Sequence, residues 1–119
     1  MNVIKKFFKS FVYAFAGIRA VCSERNFRFH LFAMVVVIVA GFLTGISANE
    51  WTILLFVIAA VLSLEMTNSA IERVVDLVTD EFHPLAKRAK DLAAGAVLIA
   101  AIFSVIIGLI IFLPKWFEF

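Results

Sequence analysis

The chain has 119 residues, 64% of them hydrophobic, with a net charge of +2 and a single cysteine, Cys22. Soluble domains run at about 45–50% apolar, so the excess belongs against lipid rather than in a core. This excludes an ordinary soluble enzyme, a nucleic-acid binder with an exposed basic face, and any intrachain disulfide.

Residues 3–22 open the chain. Ile4, Phe7, Phe8, Phe11, Val12, Phe15 and Ile18 recur at helical spacing, with Lys5, Lys6, Lys9 and Ser10 mainly on the other side. Lys9 and Arg19 interrupt the apolar run and no small-residue cleavage site follows, which argues against a signal peptide. The pattern predicts an amphipathic helix lying in the membrane interface; packing against a partner helix is the other reading of the same face. Cys22 reads as a small apolar helix residue.

Residues 29–48 carry no formal charge and are long enough for a first span, since about 20 apolar residues cross a bilayer. Residues 51–71, opened by Trp51, form a second span whose one charge is Glu65. Residues 92–113 form a third, followed by Pro114, Lys115 and Trp116. Trp51 and Trp116 then belong to one aromatic belt. Thr44 to Glu50 is a short connection without a base, whereas 73–91 holds Arg73, Lys87, Arg88 and Lys90. The positive-inside rule places the N-terminus and 73–91 in the cytoplasm and the C-terminus outside. Glu72–Glu81 is expected to continue the second helix, and His83-Pro84 to break the connection. The result is a single all-α membrane domain over 1–119. One layer of three spans cannot enclose a large site, so a homo-oligomer with sites between subunits is expected.

Glu65, Asn68, Ser69, Glu72 and Asp76 recur at spacings of three and four. At about 100° per residue they share an arc of roughly 100°. A carboxylate such as Glu65 inside an apolar span is costly and marks a functional site. Its bland alternative is a Glu that hydrogen-bonds a neighbouring helix. Glu24, in Ser23-Glu24-Arg25-Asn26, and Lys90-Asp91 fall near the depth of Glu72. Glu65 lies seven residues deeper, about 10 Å along the helix. Clustered carboxylates beside bases suit a hard cation such as Mg²⁺ bridging phosphates. A nucleotide can approach from the cytoplasm and a lipid hydroxyl from the bilayer, with Glu65 accepting its proton. No Walker A sequence or kinase Gly-rich loop is present.

Weaker signals have bland readings. Gly41-x-x-x-Gly45 is a helix-packing pattern common by chance, and Ala93-Ala94-Gly95-Ala96 a close-packing one. His30 reads as an interfacial polar residue rather than a metal ligand. His83 suits either nucleotide contact or solvation, and Asp91 is a candidate N-cap of the third span.

The stretch Glu65-Met-Thr-Asn68-Ser-Ala-Ile-Glu72-Arg-Val-Val-Asp76 resembles the signature of the bacterial diacylglycerol kinase/undecaprenol kinase family. Glu24-Arg25-Asn26-Phe27-Arg28, Glu81-Phe82-His83 and Lys87-Arg88-Ala89-Lys90-Asp91 fit as well, so the resemblance covers nearly the whole chain. It implies a homotrimer with one interfacial helix and three spans per subunit, sites shared between subunits, and ATP- and Mg²⁺-dependent phosphorylation of a lipid hydroxyl in the bacterial cell membrane. By position it makes Glu65 the catalytic base and Glu24 and Glu72 the metal ligands. Asn68 and Asp76 support the site. Tyr13, Glu81, Phe82, His83, Lys90 and Asp91 contact nucleotide. Lys6 stands where the family has a ligand-contacting Arg, keeping the charge but losing the bidentate fork. The stretch Glu24 to His30 and the loop His83-Pro-Leu-Ala-Lys-Arg look like the branch of Gram-positive undecaprenol kinases, which favours undecaprenol over diacylglycerol. Two other classes stay open on the residues alone: a small proton-coupled transporter, since a membrane Glu suits one too, and a non-catalytic membrane adaptor.

Overall fold

A computed structural model describes residues 2–118, and these fold into four helices: α1 (Val3–Val21), α2 (Arg25–Thr44), α3 (Ala48–Val78) and α4 (Pro84–Phe117). Three of them, α2, α3 and α4, are long and apolar enough to cross a membrane.

Local chemistry sets each boundary. Asn2 caps α1, its side chain accepting from the Lys5 amide at 2.8 Å. The helix stops at Cys22, and the turn over Ser23 and Glu24 sends the chain into α2. Helix α2 ends where Gly45 takes the left-handed conformation (φ +74°), which costs glycine nothing. Ser47 and Glu50 then form a reciprocal capping box that starts α3. His83 caps α4, its Nδ1 accepting from the Leu85 amide at 3.1 Å, with Pro84 in the first turn.

These caps differ from the sequence boundaries in instructive ways. The first apolar helix runs from Arg25 to Thr44 rather than over 29–48, because Gly45 and Ser47 dictate the break at its end and the turn over Ser23 and Glu24 starts it at Arg25. Most of the stretch 73–91 is helical, leaving only residues 79–83 between α3 and α4. Asp91 is therefore not an N-cap; it lies seven residues inside α4, and His83 holds that position. Gly41 and Gly45 do not form one packing face. Gly45 is a cap, whereas Gly41 is buried under the Trp51 ring.

At 1.5 Å per residue, α3 and α4 are about 46 and 51 Å long, well beyond the ~30 Å of a hydrocarbon core. They pack against each other along much of this length, with α2 alongside both. The well-packed core sits at one end, where Ile46, Leu54, Ile111 and Phe112 bury one another with Trp51 and Ile107 against them. Lys115 pairs with Glu50 at 2.5 Å and Trp116 Nε1 donates to Thr44 Oγ1 at 2.9 Å, tying α4 to the α2–α3 turn. Both tryptophans thus stand at one end of the bundle. Most other large apolar side chains face outward, among them Phe29, Phe42, Phe56 and Leu98. Lipid, not protein, is their solvent, so burial cannot be what assembles the helices. Helix α1 is exposed along its length, buries only Val21 and touches α3. The opposite end of the bundle, around Val21 and Phe27, holds the polar residues.

Candidate functional site

The polar stripe of α3 is graded by depth. Glu65, Asn68 and Ser69 are buried, at 4%, 8% and 4% exposure, whereas Glu72 and Asp76 are exposed. Burying a carboxylate, an amide and a hydroxyl together is expensive unless each finds a partner, and the partners come from three directions.

Glu24 supplies the first. As N-cap residue of α2 its side chain makes no capping hydrogen bond. It reaches α3 instead, accepting from Ser69 Oγ on one oxygen and from Arg73 Nη2 at 2.5 Å on the other. The second is Glu72, whose Oε1 accepts from Asn68 Nδ2 at 3.4 Å. Glu24 and Glu72 are thereby held by adjacent residues, Ser69 and Asn68, of one helix. The third is His30 on α2. Its Nε2 lies 3.7 Å from Glu65 Oε2, at ion-pair range.

One group has no partner. Asn68 Oδ1 is fully buried without a hydrogen bond among the described residues. Leaving a buried acceptor unsatisfied costs about 1–3 kcal/mol.

The expected nucleotide residues divide between two faces of α4. Lys90 Nζ donates to Asp76 Oδ1 at 2.6 Å, bridging α4 to α3. Lys90 precedes the apolar stretch of α4, and its hydrogen bond to Asp76 raises its affinity for a proton above the usual lysine range, with burial opposing. Asp91, paired with Lys87 at 2.5 Å, belongs to another face. With Phe82, Lys87 and Gly95 it lines a separate open groove of about 660 Å³. Glu81 and His83 lie exposed in the short connection, and His83 is engaged as a cap. Tyr13 and Lys6 are exposed on α1, and among the described residues no hydrogen bond joins their side chains to the stripe. A single copy of the chain therefore gathers Glu24, Glu65, Asn68, Glu72, Asp76 and Lys90, but not Tyr13, Lys6, Phe82 or Asp91.

Among the described residues no three His, Cys, Asp or Glu side chains converge on one point. Glu24 and Glu72 are carboxylates of the kind Mg²⁺ takes one or two at a time, and here each is engaged by side chains of α3.

An apolar cavity of about 340 Å³ runs between α2, α3 and α4 towards Phe112 and Trp116, lined by residues such as Met34, Val37, Val61 and Leu109; Glu65 is not one of its walls. His30 also lines it. Sequence reasoning missed His30 and Arg73 as members of the site. A signal for His30 was available: Phe27, His30, Met34, Val37 and Gly41 repeat at three and four, so His30 shares the inward stripe of α2 with buried Phe27 and Gly41.

The family model for prokaryotic diacylglycerol kinase matches residues 12–112. The chain belongs to that family. The undecaprenol kinase of Bacillus subtilis strain 168 is 54% identical over 115 residues, covering 96% of this chain and 94% of its own length. A diacylglycerol kinase of Synechocystis is 49% identical over 88% of this chain and 61% of its own length. The diacylglycerol kinase of Escherichia coli K12 is 38% identical, over 79% and 78%. All three relatives are kinases, phosphotransferases that act on an alcohol. A prokaryotic diacylglycerol kinase family chain with three spans able to cross the membrane is thus a multi-pass membrane enzyme, and the transporter and adaptor readings fall away.

Proposed function

We propose that this chain is an ATP- and Mg²⁺-dependent lipid kinase that transfers the γ-phosphoryl group to undecaprenol, giving undecaprenyl phosphate. Identity of 54% to an undecaprenol kinase, spread over almost the full length of both chains, carries the choice of lipid. The 49% identity to a diacylglycerol kinase supports diacylglycerol as the second reading.

In this reading Glu65 is the general base. The lipid oxygen attacks the γ-phosphorus, its proton passes to a Glu65 carboxylate oxygen, and the bond to the ADP oxygen breaks. Phosphoryl transfer asks mainly for positioning and charge stabilisation, so a sparse site suffices. Glu24 and Glu72 would hold Mg²⁺, which supplies charge neutralisation across the phosphates. Ser69 and Arg73 orient Glu24, and Asn68 orients Glu72 through Nδ2. Asp76 holds Lys90 towards the phosphates. The depth gradient supports this division: a lipid hydroxyl reaches buried Glu65 from the bilayer, and the nucleotide reaches exposed Glu72 and Asp76 from water.

The chain acts as a homotrimer with its N-terminus and 79–83 connection cytoplasmic and its C-terminus outside, α1 lying amphipathically in the interface. The division of the nucleotide residues supports shared sites, since Tyr13, Lys6, Phe82 and Asp91 of one copy do not meet its own Glu65 and Glu72. Glu81 and His83 complete the nucleotide contacts.

The test offers purified protein labelled ATP with undecaprenol and diacylglycerol side by side, and separates the lipid products. Label is expected mainly in undecaprenyl phosphate. Label mainly in phosphatidic acid overturns the choice of lipid.

A further inference from the structure

We propose that His30 is a positioning residue that aims Glu65 at the lipid hydroxyl. The inference rests on the reading of Glu65 as the base.

The first argument is elimination. Glu65 lies in the apolar part of α3 at 4% exposure, where a free carboxylate would take up whatever rotamer finds a polar neighbour. The other polar members of the buried stripe are committed elsewhere. Asn68 turns its amide nitrogen to Glu72, and Ser69 gives its hydroxyl to Glu24. Arg73 also pairs with Glu24, and Lys90 with Asp76. Among the described residues His30 is the one basic group within ion-pair range of Glu65, with Nε2 at 3.7 Å from Oε2.

The second argument is that His30 is itself held. It lies one helical turn from Phe27, which is 3% exposed and fixes that face of α2 inward. The Phe29 ring meets the imidazole edge-on, with centroids 5.9 Å apart. An anchored ring can hold a carboxylate, whereas a long flexible Lys would follow it.

The third is location. His30 touches Glu65 on one side and lines the apolar cavity on the other. The remaining cavity walls from α3 and α4 carry no charge; their polar groups are Ser104, whose hydroxyl donates to its own helix at Ala101 O, and Trp116, whose Nε1 donates to Thr44 Oγ1. At the His30 end of that cavity a hydroxyl on an apolar body meets the imidazole, and Glu65 lies 3.7 Å from its Nε2. Holding the base within reach of that hydroxyl is a positioning effect: a misplacement of about 1 Å costs up to ~100-fold in rate.

The experiment compares His30→Leu, His30→Gln and His30→Asn with the unaltered enzyme and Glu65→Gln, in one detergent, with undecaprenol as lipid. Gln places an amide N–H close to where Nε2 stands; Asn is as polar but withdraws it by one carbon. His30→Leu and His30→Asn are expected to lower kcat about 10- to 100-fold and leave the KM for ATP unchanged, and His30→Gln to recover most of the loss. Unaltered kcat in Leu, or in Asn where Leu does not fold, overturns the proposal, as does a Gln variant no better than Asn. If Glu65→Gln stays fully active, the base itself was wrong; if Glu65→Gln is dead and His30→Asn is normal, only the role of His30 falls.

Discussion

Gly41→Ala sets two effects of known sign against each other at one atom. In a helix interior, replacing Gly by Ala stabilises by about 0.5–1 kcal/mol, since the unfolded backbone loses freedom it no longer surrenders on folding. At Gly41 the added Cβ would lie 2.7 Å from Trp51 Cη2, 2.9 Å from Cζ2 and 3.3 Å from Ile46 Cδ1. Ordinary contact begins near 3.4 Å, so the indole must retreat by about 0.7 Å. It is not free to do so, because its other neighbour is the Phe42 ring, at a centroid distance of 4.8 Å. Forcing a methyl into a packed site costs about 1–3 kcal/mol. The clash therefore outweighs the gain, and the variant is expected to lose roughly 0–2.5 kcal/mol net, and about 1–3 kcal/mol relative to an unhindered Gly→Ala change. Gly17 is the control: a Cβ there meets nothing within 4 Å, so Gly17→Ala keeps only the propensity gain. Unfolding of the solubilised protein followed by tryptophan fluorescence reads both. Gly41→Ala as stable as Gly17→Ala would refute the packing argument. Kinase activity below the transition should survive, because Gly41 belongs to the end of the bundle remote from Glu65.

Three other changes probe the site. Glu65→Gln keeps shape and loses the base, so phosphate transfer from ATP to lipid should fall by about 10²- to 10⁴-fold; a normal rate removes Glu65 from the chemistry. Asn68→Leu deletes a buried acceptor that has no partner together with the amide that holds Glu72, so unfolding should shift by no more than about 1 kcal/mol while transfer falls sharply, and a variant both stable and active would show that Asn68 has no part in positioning Glu72. Ser69→Ala frees one Glu24 oxygen; the Mg²⁺ concentration for half activity should rise about 10- to 100-fold with the KM for lipid unchanged, and an unmoved Mg²⁺ curve would separate Ser69 from the metal.

The sequence alone determined the class. Twenty-residue apolar runs can do little else than span a bilayer, and His83-Pro84 marks the break before the last of them; the roles of Gly45 and Ser47 at the first break came from the structure. It also determined the acidic stripe, because spacing of three and four on α3 is a property of one helix and needs no partner. The family signature lies within that same continuous stretch, which is why it was readable too. Local chemistry shifted boundaries by a few residues without changing this picture.

Only the tertiary structure decided who meets the stripe. Glu24 could have capped α2, which is what its position suggests, yet its carboxylate crosses to Ser69 and Arg73, 45 and 49 residues away. Arg73 looked like a topology signal and pairs with Glu24. His30 looked like an interfacial histidine, and the approach of α2 to α3 sets it beside Glu65. Lys90 and Asp91 are neighbours in sequence, but about 100° of helical rotation sends one to Asp76 and the other to a different groove. Charge and period belong to one helix, whereas pairing across helices depends on their relative rotation and depth, which backbone and side-chain packing set together.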